Sequence, residues 1–140
     1  MAQWLIYAWS SMFFAGFTSV IAKKGLTGIS GDLGLTIRTC FVFLFVFIFA
    51  ALVVPQKEWT LLKPPNWCWL AASAVTTFLS WLFYYRAIKL GEVSTVALID
   101  KGSVVVSVVM ATWLLQESLS VHKVIGAILI GVGLFVVSRG

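Results

Sequence analysis

The stretch STVALIDKGSVVVSVVMATWLL, residues 94–115, is long and apolar enough to cross a membrane, yet Asp100 and Lys101 stand side by side in its first third. A spanning helix needs roughly 20 mostly apolar residues, because each residue advances the helix by about 1.5 Å. Charged groups inside hydrocarbon are costly and are usually functional. The stretch therefore predicts a membrane helix and marks these two residues as the first candidate site.

Four further apolar stretches share this length, at residues 4–22, 36–54, 67–85 and 121–137. Hydrophobic residues make up 61% of the chain and charged residues only 11%, whereas a soluble domain carries roughly a quarter charged residues. The apolar runs are continuous and lack the alternation of barrel strands. Breaks are expected at the glycine-rich run 25–34, at residues 55–66, at Gly91 and Glu92, and at residues 116–120. The sequence predicts an all-α membrane protein with five transmembrane helices in one domain, residues 1–140.

The basic residues are spread through loops and helix ends, so they predict membrane orientation instead of nucleic-acid binding. One side of a five-helix protein would carry Lys57, Lys63 and Lys123. The other side would carry Lys23, Lys24, Arg38, Arg86, Lys89 and Arg139. The positive-inside rule places the second side in the cytoplasm, with the N-terminus outside. The three arginines lie at predicted helix ends, where snorkelling costs little, so insertion in both orientations stays open.

Asp100 and Lys101 would each cost about 2.5 to 3.5 kcal/mol at a lipid-facing helix centre, so we expect both to face protein or a wet cavity. Adjacent residues point about 100° apart on a helix, so an ion pair between them cannot be assumed. Asp100, Ser103 and Ser107 follow helical spacing and predict one polar stripe that resembles the lining of a pathway. The alternative is that Asp100 caps a break near the helix start while Lys101 snorkels to the interface.

The third span offers a second polar face, with Thr77, Ser80 and Tyr84 as candidate solute contacts. Ordinary packing between helices is the other interpretation, because serine and threonine hydroxyls can bond to the preceding helical turn. The fifth span carries small residues that let two backbones approach closely: Gly126, Ala127, Gly131 and Gly133. They predict a packing face, either inside the chain or between subunits.

No metal site, cofactor or enzyme activity is expected. Cys40, Cys68 and His122 are too few and too dispersed for a metal centre. The sequence offers no nucleophile with a base, paired carboxylates or phosphate-binding loop.

Several short motifs occur in an order and spacing typical of a known family. They are AKKGL at 22–26, IRT at 37–39, RAIKLG at 86–91, STVA at 94–97, IDKGSVV at 99–105, LLQE at 114–117 and GAILIG at 126–131. Together they resemble an EamA domain, and the likeness covers nearly the whole chain. The commoner members of its superfamily, the drug/metabolite transporters, are similar to two such domains fused into ten helices. This chain has a single copy.

The resemblance implies a secondary transporter of small organic solutes, with a central cavity built from the first four helices and the fifth at the periphery. It implies the bacterial inner membrane and no cofactor. A homodimer would rebuild the ten-helix arrangement, and an antiparallel pair would reproduce the inverted repeat on which alternating access depends. We therefore predict a homodimer, antiparallel in arrangement, with the lipid bilayer and a small solute as its other partners.

Asp100 is the only acidic residue well inside a predicted span. We expect it to exchange protons or to bind the cationic part of a solute, with Lys101 holding an anionic group or closing an ion pair. A different class of function stays open: a non-transporting scaffold or obligate subunit of a larger complex, such as a lipid-linked sugar flippase. In that case both residues tie helices together.

Overall fold

The computed structural model describes residues 2–139, which form helices and no β-strands. The helices are α1 (Gln3–Gly25), α2 (Gly31–Val53), α3 (Gln56–Trp59), α4 (Pro64–Leu90), α5 (Val93–Asp100), α6 (Ser103–Leu114) and α7 (Val121–Val137). They fall into two compact units, which meet in sequence between Leu90 and Gly91. Unit 1 contains α1 to α4, and unit 2 contains α5 to α7. The all-α prediction is confirmed for the described residues, and the single domain stays a prediction.

Four segments are long and apolar enough to cross a membrane: α1, α2, α4, and residues 93–114 taken across the junction of α5 and α6. The predicted bounds of α7 are confirmed, but this helix has only 17 residues. Its length of about 26 Å is somewhat less than the roughly 30 Å of a hydrocarbon core. A multi-pass membrane protein follows, while the fifth span stays a prediction.

The second helix starts earlier than predicted, at Gly31 instead of residue 36. The Ser30 side chain accepts a hydrogen bond from the Leu33 N–H at 3.2 Å, which satisfies a donor that the first helical turn leaves unpaired. Gly28 makes the preceding turn with a φ of +77°. Gly31 packs so closely on α4 that a Cβ would lie 2.8 Å from the Tyr85 carbonyl oxygen. The glycine-rich run is therefore partly turn and partly helix contact.

The third predicted span, residues 67–85, is also longer at both ends. Pro64 occupies the first helical position of α4, where its missing N–H would have no partner within the helix. The Asn66 Oδ1 accepts a hydrogen bond from the Lys63 N–H at 2.9 Å. At the other end the helix continues past Tyr85 because Ile88 is completely buried, and it stops before Gly91, as predicted.

The buried hydrophobic side chains of unit 1 lie together at one end of its helices: Leu26, Leu35, Tyr85 and Ile88. Polar contacts join the same place. The Lys23 ammonium donates to the Ile88 carbonyl, and Lys89 Nζ donates to the Leu26 carbonyl at 3.0 Å. The Arg86 guanidinium donates two hydrogen bonds to the Asp32 carboxylate, of 2.8 and 3.1 Å. We call this region the basic end of unit 1; it ties α1 and α2 to the last turns of α4.

In unit 2, α7 packs against both α5 and α6. The closest approach is at Gly102, where a Cβ would lie 2.9 Å from Leu134 Cδ1 on α7 and 3.0 Å from the Ile99 carbonyl oxygen. Ser120 caps α7 by accepting a hydrogen bond from the Lys123 N–H at 3.3 Å. The glycine therefore sets the position of the junction between α5 and α6 against α7.

Candidate functional site

The span that contains Asp100 and Lys101 is broken at these residues. The span predicted at residues 94–115 lies at 93–114, and the helix tightens within it, since α5 ends at Asp100 and α6 begins at Ser103. The N–H groups of Lys101 and Gly102 donate to carbonyls three residues back, at 3.1 and 2.9 Å, instead of four. Such tightening is 3₁₀ geometry, which in mid-helix often marks a functional hinge.

Lys101 Nζ lies 3.6 Å from Asp100 Oδ2, so the two residues form an ion pair. Adjacent side chains point about 100° apart only within a continuous helix, so this separation does not apply where α5 ends. Both charges lie between the negative end of α5 and the positive end of α6, so each helix dipole favours one of them and disfavours the other. The alternative interpretation expected Asp100 to cap a break in the helix. The helix does break here, but no side chain forms a capping hydrogen bond to α6. The Lys101 side chain is 55% exposed and that of Asp100 37%.

The proposed polar stripe is divided by the break. Asp100 ends one helix and Ser103 begins the next, so the spacing of a single helix does not hold across them. Ser107 lines a cavity of about 320 Å³ within unit 2, together with Thr112, Glu117 and Lys123 among others. The structure thus brings Ser107 to a cavity that Asp100 and Ser103 do not line.

The polar residues of the third span have different surroundings in unit 1. Thr77 donates to the Ser73 carbonyl at 2.8 Å and lines a cavity of about 370 Å³. The Tyr84 hydroxyl donates to Ser19 Oγ at 2.7 Å, which ties α4 to α1. Ser80 is exposed on the same helix. A packing contact therefore accounts for Tyr84, and Thr77 is the residue of this group beside a cavity.

The glycines of α7 leave open space on the surface of the helix. At Gly126, Gly131 and Gly133, no other atom of residues 2–139 lies within 4 Å of the position that a Cβ would take, apart from the helix's own backbone and chain neighbours. Ala127 on the same helix is only half-buried. The structure thus shows no partner packed closely against these glycines within the described chain.

Arg38 is a candidate that sequence reasoning missed. Its guanidinium carbon stands 4.2 Å from the centre of the Trp81 ring and 5.9 Å from that of Tyr85. Its Nη1 is buried and has no hydrogen-bond partner among residues 2–139. Arg38 also lines the largest of the three cavities described, about 530 Å³, between α1 and α2. The available signal was a lone cation in an apolar helix, but a helix predicted to start at residue 36 made Arg38 a helix end.

The described residues contain no cluster of three or more metal-binding side chains, and both cysteines are free and exposed. Two places among the described residues therefore combine charged groups with apolar surroundings. One is the Asp100–Lys101 pair at the break in unit 2, and the other is the cavity of unit 1 that Arg38 lines.

Comparison with known proteins identifies the chain. Residues 2–139 match the EamA-like transporter family. A protein of Sinorhizobium sp. named "Uncharacterized transporter in cobO 3'region" is 35% identical over 136 residues, which cover 94% of this chain and 93% of that protein. No solved structure matches the chain. With four apolar segments long enough to cross a membrane, the chain is a multi-pass membrane transporter and belongs to the EamA-like transporter family.

Proposed function

We propose that the protein is a secondary transporter that moves a small organic solute by alternating access, as a homodimer in the bacterial inner membrane. The charged break in the fourth span is the observation that supports this best. Transporters commonly bind ions and solutes where a membrane helix is interrupted, because helix ends and unwound backbone supply partial charges there. Irregular backbone at such depth is tolerated only in protein or beside water.

The Asp100–Lys101 pair is the coupling element in this proposal. In the closed state the two side chains neutralise each other across 3.6 Å. When the break becomes hydrated, Asp100 takes up a proton or the cationic part of the solute, and Lys101 is released to an anionic group. Ser103, Ser107, Thr77, Ser80 and Tyr84 remain the proposed solute contacts.

The homodimer follows from the small number of spans. Four long segments and one short helix are few for a pathway that opens alternately to two sides. The small residues of α7 lie on two sides of the helix, Ala127 and Gly131 on one and Gly126 and Gly133 on the other. The small-xxx-small side with Ala127 and Gly131 is where a second copy would approach closely. An antiparallel partner would supply the inverted repeat.

Transport in proteoliposomes tests the coupling role. Amino acids, amines, sugars and organic acids are first screened by thermal shift on the purified protein, and the solutes that stabilise it are used as labelled substrates under an imposed pH gradient. We expect Asp100→Asn to lower pH-driven uptake about tenfold or more. Glu58→Gln is the control, because it neutralises an exposed acid on α3 that lines none of the three described cavities. Undiminished pH-driven uptake by Asp100→Asn would refute the proton role.

Stability separates transport from a purely structural role. Asp100 and Lys101 contact each other within one span, so their ion pair joins no second helix. We therefore expect Asp100→Ala and Lys101→Ala to express and unfold nearly as the native protein does, while solute movement is lost. A large fall in the unfolding temperature with retained transport would instead favour the structural role.

A further inference from the structure

We propose that the cavity between α1 and α2 binds an organic anion with an apolar body, and that Arg38 holds its anionic group. As an assignment of substrate class, this inference rests on the proposed transport function. As a binding site, it stands on the geometry of unit 1 alone.

The argument begins with the charge. A guanidinium has five N–H donors and no acceptor, and it stays protonated in proteins. Stacking over Trp81 stabilises the positive charge, but a ring face accepts no strong hydrogen bond. Arg38 forms no ion pair with a carboxylate of residues 2–139. The cation thus lacks a carboxylate counter-ion among the described residues.

The second step concerns one atom. Nη1 of Arg38 is buried and unpaired among the described residues, and an unsatisfied buried donor is disfavoured. Arg38 is the eighth residue of α2, about 10 Å along the helix from its start. An oxyanion in the cavity would compensate the charge of the guanidinium, and it would pair with Nη1 once a rotation of the group turns that atom towards the cavity.

The third step is the shape and chemistry of the cavity. Its volume is about 530 Å³, within the range of roughly 300 to 1,000 Å³ that holds drug-sized ligands. Arg38 is its only charged lining residue, and its walls are mostly apolar, with Ile21, Phe41 and Phe45 among them. A solute that fits both features has a hydrophobic body and one anionic group, which describes aromatic and alicyclic carboxylates.

Equilibrium dialysis of the full-length protein in phosphatidylcholine nanodiscs tests the site, with 1-naphthoate as the probe and 1-naphthamide as its neutral counterpart. We expect saturable binding of the acid, and binding of the amide weaker by about tenfold or more. Arg38→Gln should lower the affinity for the acid about 10- to 100-fold, towards that of the amide. Arg38→Lys, which keeps the charge without the forked donors, should fall between the two.

Arg139→Gln is the matched control, because that arginine also stacks on a ring, 4.3 Å from the centre of Phe135, but does not line the cavity. It should bind the acid as the native protein does. Ala22→Leu fills the cavity without touching the charge, and it should weaken acid and amide alike. This second variant keeps the inference testable if Arg38→Gln does not fold.

Equal affinity for acid and amide, or unchanged binding by Arg38→Gln or Ala22→Leu, overturns the proposal. It is also overturned if 1-naphthoate does not bind while phosphatidylglycerol raises the unfolding temperature of the native protein but not of Arg38→Gln, since the cavity is then a lipid site. Dialysis needs no transport. Binding by a protein that moves no solute would therefore refute the transport function and leave the site in place.

Discussion

Gly31 shows how much of the packing in unit 1 depends on the absence of a single methyl group. The backbone of α2 approaches α4 there so closely that a Cβ would lie 2.8 Å from the Tyr85 carbonyl oxygen and 3.3 Å from the Arg86 nitrogen. Backbone atoms cannot rotate away as the end of a side chain can. The contact therefore resists any larger residue.

Gly31→Ala should lower the free energy of unfolding by about 1 to 3 kcal/mol, because the two helices must move apart. Thermal unfolding in detergent measures the effect. Gly16→Ala in α1 is the control, since no other described atom would contact its Cβ, and alanine in a helix is favoured over glycine by about 1 kcal/mol. Equal shifts in the two variants would contradict the close contact.

The hydrogen bond between Tyr84 and Ser19 makes a second prediction for single residues. The Ser19 hydroxyl accepts from Tyr84 at 2.7 Å and donates to the Ala15 carbonyl at 3.2 Å. Tyr84→Phe should lower stability by about 1 kcal/mol, and Ser19→Ala added to it should cost less than it does alone. Tyr7→Phe, at an exposed position of α1, should change stability by less than about 0.5 kcal/mol. Strict additivity of the two substitutions would show that the bond contributes nothing.

The sequence predicts which residues are charged candidates better than it predicts where they lie in their helices. Asp100 and Lys101 were identified because a charge in an apolar run is conspicuous whatever its neighbours do. Arg38 is equally charged, but the Ser30 cap and the Gly31 contact, which start α2 early, depend on a turn and on α4. Hydropathy reports only the polarity of side chains, so it predicts neither the Ser30 cap nor the Gly31 contact.

The fourth span shows the same limit for a whole element. Its side chains predict an apolar helix long enough for the membrane, and residues 93–114 form one when taken together. The break within it lies where Gly102 contacts Leu134 of α7. There the backbone N–H groups bond to carbonyls three residues back instead of four. Those are properties of the packed unit, so the sequence pattern alone did not separate a continuous helix from a broken one.

Gly102→Ala should destabilise unit 2 by about 1 to 3 kcal/mol, because the new methyl group meets Leu134 and the Ile99 carbonyl. Adding Leu134→Ala should recover part of the loss, since it removes one of the two obstacles. Amide hydrogen exchange and thermal unfolding of the single and double variants measure this. Gly16→Ala on α1 is the control with open space around its Cβ. The absence of any recovery would show that Leu134 does not set the break.

For the whole molecule, composition and motif order were sufficient to predict an all-α membrane chain of this family. Hydropathy predicts segments one at a time, because lipid acts on each apolar helix independently. The assembly of subunits depends on surfaces meeting, and a single sequence does not record its own partner. The homodimer and its orientation therefore stay predictions.

Labelling from the two sides of the membrane tests the antiparallel arrangement. Gln3→Cys and Ser138→Cys are introduced separately into a chain whose Cys40 and Cys68 are replaced by alanine. We expect each new thiol to react from both sides, because the basic residues bias orientation only modestly. Gln56→Lys with Thr60→Lys, which adds positive charge to the connection between α2 and α4, should shift the ratio of the two populations. Exclusive reaction of each thiol from one side would rule out the antiparallel dimer.

In unit 1 the buried side chains and the bonds of the basic end lie near the start of α2, so we treat α2 as a lever that pivots there. Its fulcrum is the contact of Gly31 with the Tyr85 carbonyl, and the Asp32–Arg86 bonds hold the helix there. From that point α2 extends 23 residues to Val53, a length of about 34 Å. Rocking by about 5° about the fulcrum therefore moves the far end by about 3 Å, roughly the width of a water molecule. In the proposed alternating-access cycle, a small rotation at the basic end would therefore be amplified into a change in access at the far end of α2.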